Sequence, residues 1–156
     1  MVEALGEVGK SMKPKHFLNQ IESHRVTDAI AKVESRTSGE VRVMISHKKR
    51  VDDVFKMATR EFSRLKMMNT KERNAVLIFV VPLCHSFAVI GDEGVHRKCG
   101  DFFWTETAEI ISQEFKKGRF TEGLVRGIEK VGEALIAHFP HKKNNQSEIS
   151  NKVVES

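Results

Sequence analysis

Thr70-Lys71-Glu72-Arg73-Asn74-Ala75-Val76-Leu77-Ile78-Phe79-Val80-Val81-Pro82-Leu83-Cys84-His85-Ser86-Phe87-Ala88-Val89-Ile90-Gly91-Asp92-Glu93-Gly94 is the stretch that decides the fold. Ala75 to Val81 is apolar at every position, which is the pattern of a strand covered on both faces by helices. Pro82-Leu83-Cys84-His85 turns the chain into a second apolar run, Ser86 to Gly91. So short a connection most simply returns the second strand antiparallel to the first. The polar end of the second run, Gly91-Asp92-Glu93-Gly94, then lies beside the polar start of the first, Thr70 to Asn74.

Working upstream, Val51, Phe55, Ala58, Phe62 and Leu65 recur at helical spacing behind a cap at Asp52 or Asp53. Before that helix, Glu40 to Ser46 alternates and places Val41, Val43 and Ile45 on one face of a strand. Strand, helix, strand predicts a parallel pair joined by a crossover. An earlier helix runs from about Phe17 to Arg36, with Val26, Ala29, Ile30 and Val33 on one face. Gly39 is expected to stop it in a left-handed C-cap. Downstream, a polar connection with room for a short helix leads to two longer helices separated by Gly118. Trp104, Ala108, Ile111 and Phe115 mark one, and Leu124, Ile128, Val131 and Leu135 the other. Gly123, Gly127 and Ala134 share one side of the last helix and read as a close-packing device. The expected fold class is α/β, a three-layer α/β/α sandwich with a small mixed sheet flanked by helices. The expected organisation is a flexible N-terminal arm at 1–16, a single domain at 17–140 and a disordered polar tail at 141–156.

Composition sets the outer limits. The 156 residues, 40% apolar and 30% charged, suit one soluble domain. No run approaches the roughly 20 apolar residues of a membrane span. The first residues lack the apolar stretch of a signal peptide, so the expected location is cytoplasmic. Cys84 and Cys99 make no disulfide framework and no metal-type pair, and read as ordinary thiols. The net charge of +5 raises a nucleic-acid reading, but His47-Lys48-Lys49-Arg50 and Lys116-Lys117-Gly118-Arg119 carry no interleaved aromatic residues. They read as solvated loops, and sequence-specific nucleic-acid binding is not expected.

Strand direction sorts the polar residues onto two sheet edges. One collects Glu40, Arg73, Asn74, Asp92 and Glu93; the other collects Ser46, His47, Asp52, Asp53, Cys84, His85 and Ser86. The rule that ligands bind beyond the carboxyl ends of parallel strands favours the second edge. There, His47, Cys84 and His85 suggest a zinc or nucleophile site, but the histidines lack a helical spacing.

The first edge carries a resemblance. Ala29-Ile30 with Glu34, Thr37-Ser38-Gly39-Glu40-Val41-Arg42-Val43, then Asp53, Ala58, Phe62, Leu65 and Met67, follow in order with Thr70, Arg73-Asn74 and Val76-Leu77-Ile78. Gly91-Asp92 with Gly94, then Phe120, Gly123 and Gly127, complete the set. This pattern, over roughly Ile21 to Pro140, resembles the TPM domain family, which includes thylakoid lumen and photosystem II repair proteins with acid phosphatase activity. The resemblance implies an α/β/α sandwich, an acidic cleft associated in places with divalent cations, and in some members phosphatase activity. This sequence lacks the signal peptide and membrane anchor of many of those relatives.

Two functions follow as expectations. One is a non-enzymatic binding or assembly module with an acidic, cation-binding cleft for a protein partner. The other is a low-activity phosphomonoesterase acting on a phosphorylated small molecule. In the second, Asp92 and Glu40 hold Ca²⁺ or Mg²⁺, hard cations that favour oxygen, Arg73 clamps the phosphate, and Asn74 and Glu93 complete the binding set. Asp101 is a further carboxylate within reach of that set. Neither cysteine is followed at the right distance by an arginine, which disfavours a cysteine phosphatase.

Overall fold

The computed structural model describes residues 2–7, 22–141 and 154–155, the first and last of these by backbone alone. In chain order the elements are β1 (Val2–Glu7), α1 (Ser23–Glu34), β2 (Glu40–Ile45), α2 (Val54–Arg64) and β3 (Ala75–Val81). There follow β4 (Ser86–Gly91), α3 (Glu93–Cys99), α4 (Asp101–Lys116), α5 (Phe120–His138) and β5 (Val154–Glu155). Short 3₁₀ turns at Met67–Asn69 and Pro82–Cys84 flank β3.

The sheet order is β1-β4-β3-β2-β5. β2 and β3 are parallel, β3 and β4 antiparallel, as the connections require. Of the segment expected to be a loose arm, Val2–Glu7 instead pairs antiparallel with β4. Val154–Glu155, in the expected tail, runs parallel to Met44–Ile45. The first helix begins at Ser23, not near Phe17 as expected, with Glu22 before it extended (φ −92°, ψ 91°); the rest of the two terminal segments lies outside the described residues.

Every residue of β3 is buried, because helices cover both faces. On one side Val41, Val43, Ile45, Val76, Ile78, Val80, Phe87 and Val89 meet α1, α4 and α5. On the other, Met44, Ala75, Leu77, Phe79, Ala88 and Ile90 meet Ala58 and Phe62 of α2 and Met67. The two clusters are the two interfaces of a three-layer α/β/α sandwich. Each large apolar side chain so buried contributes about 1.5–3 kcal/mol.

Glycines set how closely the layers approach. In α5, a Cβ at Gly123 would lie 2.6 Å from Phe115, and one at Gly127 2.7 Å from Ile111, so both let α4 close onto α5. Gly132 does the same for Val33 of α1, at 2.4 Å. Gly39 has a different role from the C-cap expected of it. α1 already ends at Glu34, and Gly39 is not among the positive-φ residues. A Cβ there would sit 2.9 Å from both the Asn74 carbonyl oxygen and the Leu135 side chain, so Gly39 is a point of close approach at the entry to β2.

Candidate functional site

At the edge where β2 and β3 begin and β4 ends, three short polar segments meet. The first is held down by Thr37, whose Oγ1 lies 3.0 Å from the Leu135 carbonyl oxygen and accepts from Gly39 N, also at 3.0 Å. Ser38 N donates to the Phe139 carbonyl at 3.0 Å, so the end of α5 fixes the start of β2. The second segment turns sharply. Arg73 has a φ of 52°, and Asn74 N donates to Thr70 Oγ1 at 3.1 Å. The third is fastened to the second at Gly94. Its N–H donates to Arg73 O at 2.9 Å, and a Cβ would fall 2.0 Å from Glu72 O. Only a residue without a side chain fits there.

Two polar groups result. In one, Arg73 grips Asp92 with both ends of its fork: Nε to Oδ2 at 2.7 Å and Nη2 to Oδ1 at 2.8 Å. Asp92 is 0% exposed and also caps α3, accepting from Glu93 N at 2.8 Å. Glu93 Oε1 takes Arg73 Nη1 at 3.3 Å and Arg97 Nη2 at 3.6 Å. The Asp92 carboxylate, then Glu93, hold the Arg73 guanidinium above its ordinary pKa, against a smaller opposing effect of burial. In the other group, Glu72 Oε2 accepts from Ser38 Oγ at 3.0 Å and from Asn74 Nδ2 at 3.3 Å. Asn74 Nδ2 also reaches Ser38 Oγ at 3.1 Å, while Asn74 Oδ1 is buried without a hydrogen-bond partner among the described residues.

Glu40 is 2% exposed and opens β2 opposite Ala75, and Asp92 N donates to Ala75 O at 3.0 Å. Glu40 and Asp92 therefore stand on either side of Ala75 in one row, about 10 Å apart at two strand spacings. Arg42, next on the same side of β2 as Glu40, is also buried. Burial lowers its guanidinium pKa, and Glu34 and Glu40 oppose that shift. Beside this edge, Trp104 Nε1 donates to His96 Nδ1 at 3.2 Å, and His96 Nε2 faces Asp101 at 3.4 Å. The Trp104 ring covers Gly91, where a Cβ would lie 1.9 Å away.

The structure thus brings Glu40, Arg73, Asn74, Asp92 and Glu93 to one edge. It joins Arg73 to Asp92 and Glu93, and joins Asn74 to Ser38 and Glu72. Sequence reasoning misses Glu72, the acceptor that ties two segments together; its only signal was its place inside the Thr70–Asn74 phrase. It also misses Arg42, whose guanidinium feels the charges of Glu34 and Glu40 and which alternation along a strand would have placed on the same side as Glu40.

As a test of fit for a divalent cation, the donor set is mixed. Both Asp92 oxygens are taken by Arg73, so a cation held by Asp92 and Glu40 has to displace the guanidinium. Among the described residues no group of three His, Cys, Asp or Glu side chains comes together. The open oxygen is Asn74 Oδ1. At the opposite edge Cys84 Sγ lies 3.5 Å from Lys49 O, and His85 occupies the left-handed turn after Pro82–Cys84 at a φ of 52°.

All three segments fall within residues 11–134, which the TPM domain family matches. The chain belongs to the TPM domain family. Its fold is shared with the BA42 protein of the psychrophilic bacterium Bizionia argentinensis, solved by NMR. That chain is 41% identical, with a TM-score of 0.80 over 86% of this chain and 92% of the other. None of the curated proteins matches. No helix of the described residues of this TPM domain is long and apolar enough to cross a membrane.

Proposed function

We propose that this TPM domain is a binding module, and that the acidic edge of its sheet is the surface that binds. The observation that carries this is the closed Arg73–Asp92 pair. A phosphate clamp needs a guanidinium with free donors, and a metal ligand needs a carboxylate with free lone pairs. Here Arg73 commits three of its N–H donors to Asp92 and Glu93, and both oxygens of the wholly buried Asp92 already accept, so each is engaged before a ligand arrives. What the edge offers instead is a rigid, oxygen-rich surface cross-linked between three segments, with Asn74 Oδ1 unspent. Its best small ligand is a hard cation, Ca²⁺ or Mg²⁺, taken by Glu40, Asn74 and Glu93, with Asp92 joining once Arg73 swings out. A protein partner with a basic surface suits the same edge.

The second reading, phosphomonoester hydrolysis, has one observation of its own. The Arg73 side chain is 36% exposed, so its guanidinium has room to leave Asp92 for a phosphate while a cation takes the carboxylate. One pair of experiments separates the two. Amide NMR titration with Ca²⁺ or Mg²⁺ is expected to shift residues 38–40, 72–74 and 92–93; shifts elsewhere, or none, defeat the cation reading. Hydrolysis of p-nitrophenyl phosphate in the presence of either cation, abolished in Arg73→Ala, would replace the binding module with the phosphatase.

A further inference from the structure

The end of the sheet opposite the acidic edge carries two exposed basic runs, and we propose that they dock this protein onto an anionic phospholipid surface. The two basic runs lie far apart in sequence, but they leave the sheet from the same place. Ile45 pairs with Val80, and Val80 with Phe87, making one row across β2, β3 and β4. The loop His47-Lys48-Lys49-Arg50 starts just past that row on β2. Phe115, near the end of α4, packs edge-on against Phe87 with ring centres 5.5 Å apart. Lys116, Lys117, Gly118 and Arg119 therefore emerge over the same row, on the other face of the sheet.

All eight residues of the two runs are exposed. Lys48, Lys49, Arg50, Lys116 and Lys117 form no ion pair among the described residues, whereas Arg73 and Arg97 at the acidic edge both do. Arg119 lies 3.9 Å from Glu114, which Arg126 already holds at 3.1 Å. Other acids stand at the same end. Asp53 caps α2 by accepting from Lys56 N at 3.1 Å, and Glu22 and Glu122 both pair with Arg25. Asp52 and Asp53 offset part of the charge of the five cations, and by backbone register Glu7, opposite Ser86, and Glu155, opposite Ile45, stand at the same end.

The shape of the patch selects the occupant. Nucleic-acid sites combine basic residues with aromatic platforms or an element that enters a groove. Neither run contains an aromatic residue, and the charges stand on loops either side of the sheet end. Two lysine-rich prominences at one level suit an extended plane of phosphate headgroups, where each Lys or Arg adds to binding nearly independently.

The test is sedimentation of the full chain with vesicles of phosphatidylcholine alone and of phosphatidylcholine mixed with phosphatidylserine. Binding is expected only to the mixed vesicles and is lost as salt shortens the screening length. K48E/K49E and K116E/K117E are each expected to weaken it by at least about thirtyfold, from two contacts of ordinary strength. K71E, an exposed lysine at the acidic edge, changes nothing, and all three variants melt as the parent does. Equal binding to neutral vesicles overturns the proposal. So does full binding by either double variant, or tighter binding to mixed-sequence single-stranded DNA than to the anionic vesicles.

Discussion

Removing the carboxylate of Asp92 tests whether the acidic edge is held together by an internal ion pair. Asp92→Ala deletes the α3 cap, worth about 1 kcal/mol. It also deletes two charge-assisted bonds to Arg73. Bonds of this kind are worth about 1.5–3 kcal/mol. Because the Arg73 side chain is 36% exposed and rehydrates, the lower figure, about 1.5 kcal/mol, is taken for the two together. The sum, about 2.5 kcal/mol, corresponds to a fall in Tm of about 5–10 °C for a chain of this size. Asp92→Asn keeps an oxygen for the cap but turns an amide donor toward the guanidinium, so only the bond term is lost, about 3–6 °C. Urea and thermal unfolding of both variants, combined with Arg73→Ala in a double-mutant cycle, give the coupling directly. The left-handed backbone at Arg73 enters both arms of the cycle and cancels. A coupling of at least about 1 kcal/mol is expected. A coupling near zero, or an Asp92→Asn variant more stable than the parent, refutes the argument. The second result would mark Asp92 as a residue kept at a cost to stability for the sake of a ligand.

Four further outcomes follow from the packing and the charges. Gly94→Ala drives a Cβ into the backbone at Glu72 and Arg73 and should cost at least about 3 kcal/mol in urea unfolding, since overpacking against main chain has no side chain to yield; a loss under about 1 kcal/mol would show that the α3 turn is loose. Gly91→Ala pushes the indole of Trp104, the single tryptophan, off the end of β4. Its emission should move to the red, and an unchanged spectrum would contradict the packing. Cys99 has its thiol pKa raised by burial, with Lys130 opposing, so it should react with a thiol reagent at neutral pH more slowly in the native protein than in urea. Equal rates would count against that burial. Arg73 carries no pH dependence near neutrality: with its pKa raised, its contribution is complete throughout the neutral range and is lost only at strongly alkaline pH.

The central sheet was legible because burial on both faces leaves an unbroken apolar run, and Ala75–Val81 has no other reading at that length. The antiparallel return through Pro82–Cys84 followed from the shortness of the turn, and with it the meeting of the three polar segments. β1 was not legible, since Val-Glu-Ala-Leu-Gly-Glu has a single β-branched residue and no clean alternation, and its partner β4 lies some 80 residues away. Gly39 misleads for a physical reason. Freedom at positive φ and absence of volume are properties of the same residue, and only the neighbours, here Asn74 O and Leu135, tell which one is used. The candidate residues were read one at a time, Arg73 for a phosphate and Asp92 for a cation. Opposite charges gathered at one edge are also each other's nearest partners, and a list of types does not reveal which pairs close.

The two ends of the sheet differ in how they depend on the folded state. The basic runs are contiguous, and a peptide bearing His47 to Arg50 keeps its charges together whether or not the chain folds. The acidic edge is assembled from residues 37–40, 70–74 and 91–94, joined by the ladder between Val76 and Gly91 and by the bond from Glu40 N to Asn74 O. No fragment short of the whole central sheet contains it. A ligand of that edge therefore binds the native chain alone, and at a hundred times its dissociation constant adds about 2.7 kcal/mol to global stability. Unfolding temperature becomes a ligand detector for the acidic edge, whereas the basic end keeps each run on unfolding and loses only their placement side by side.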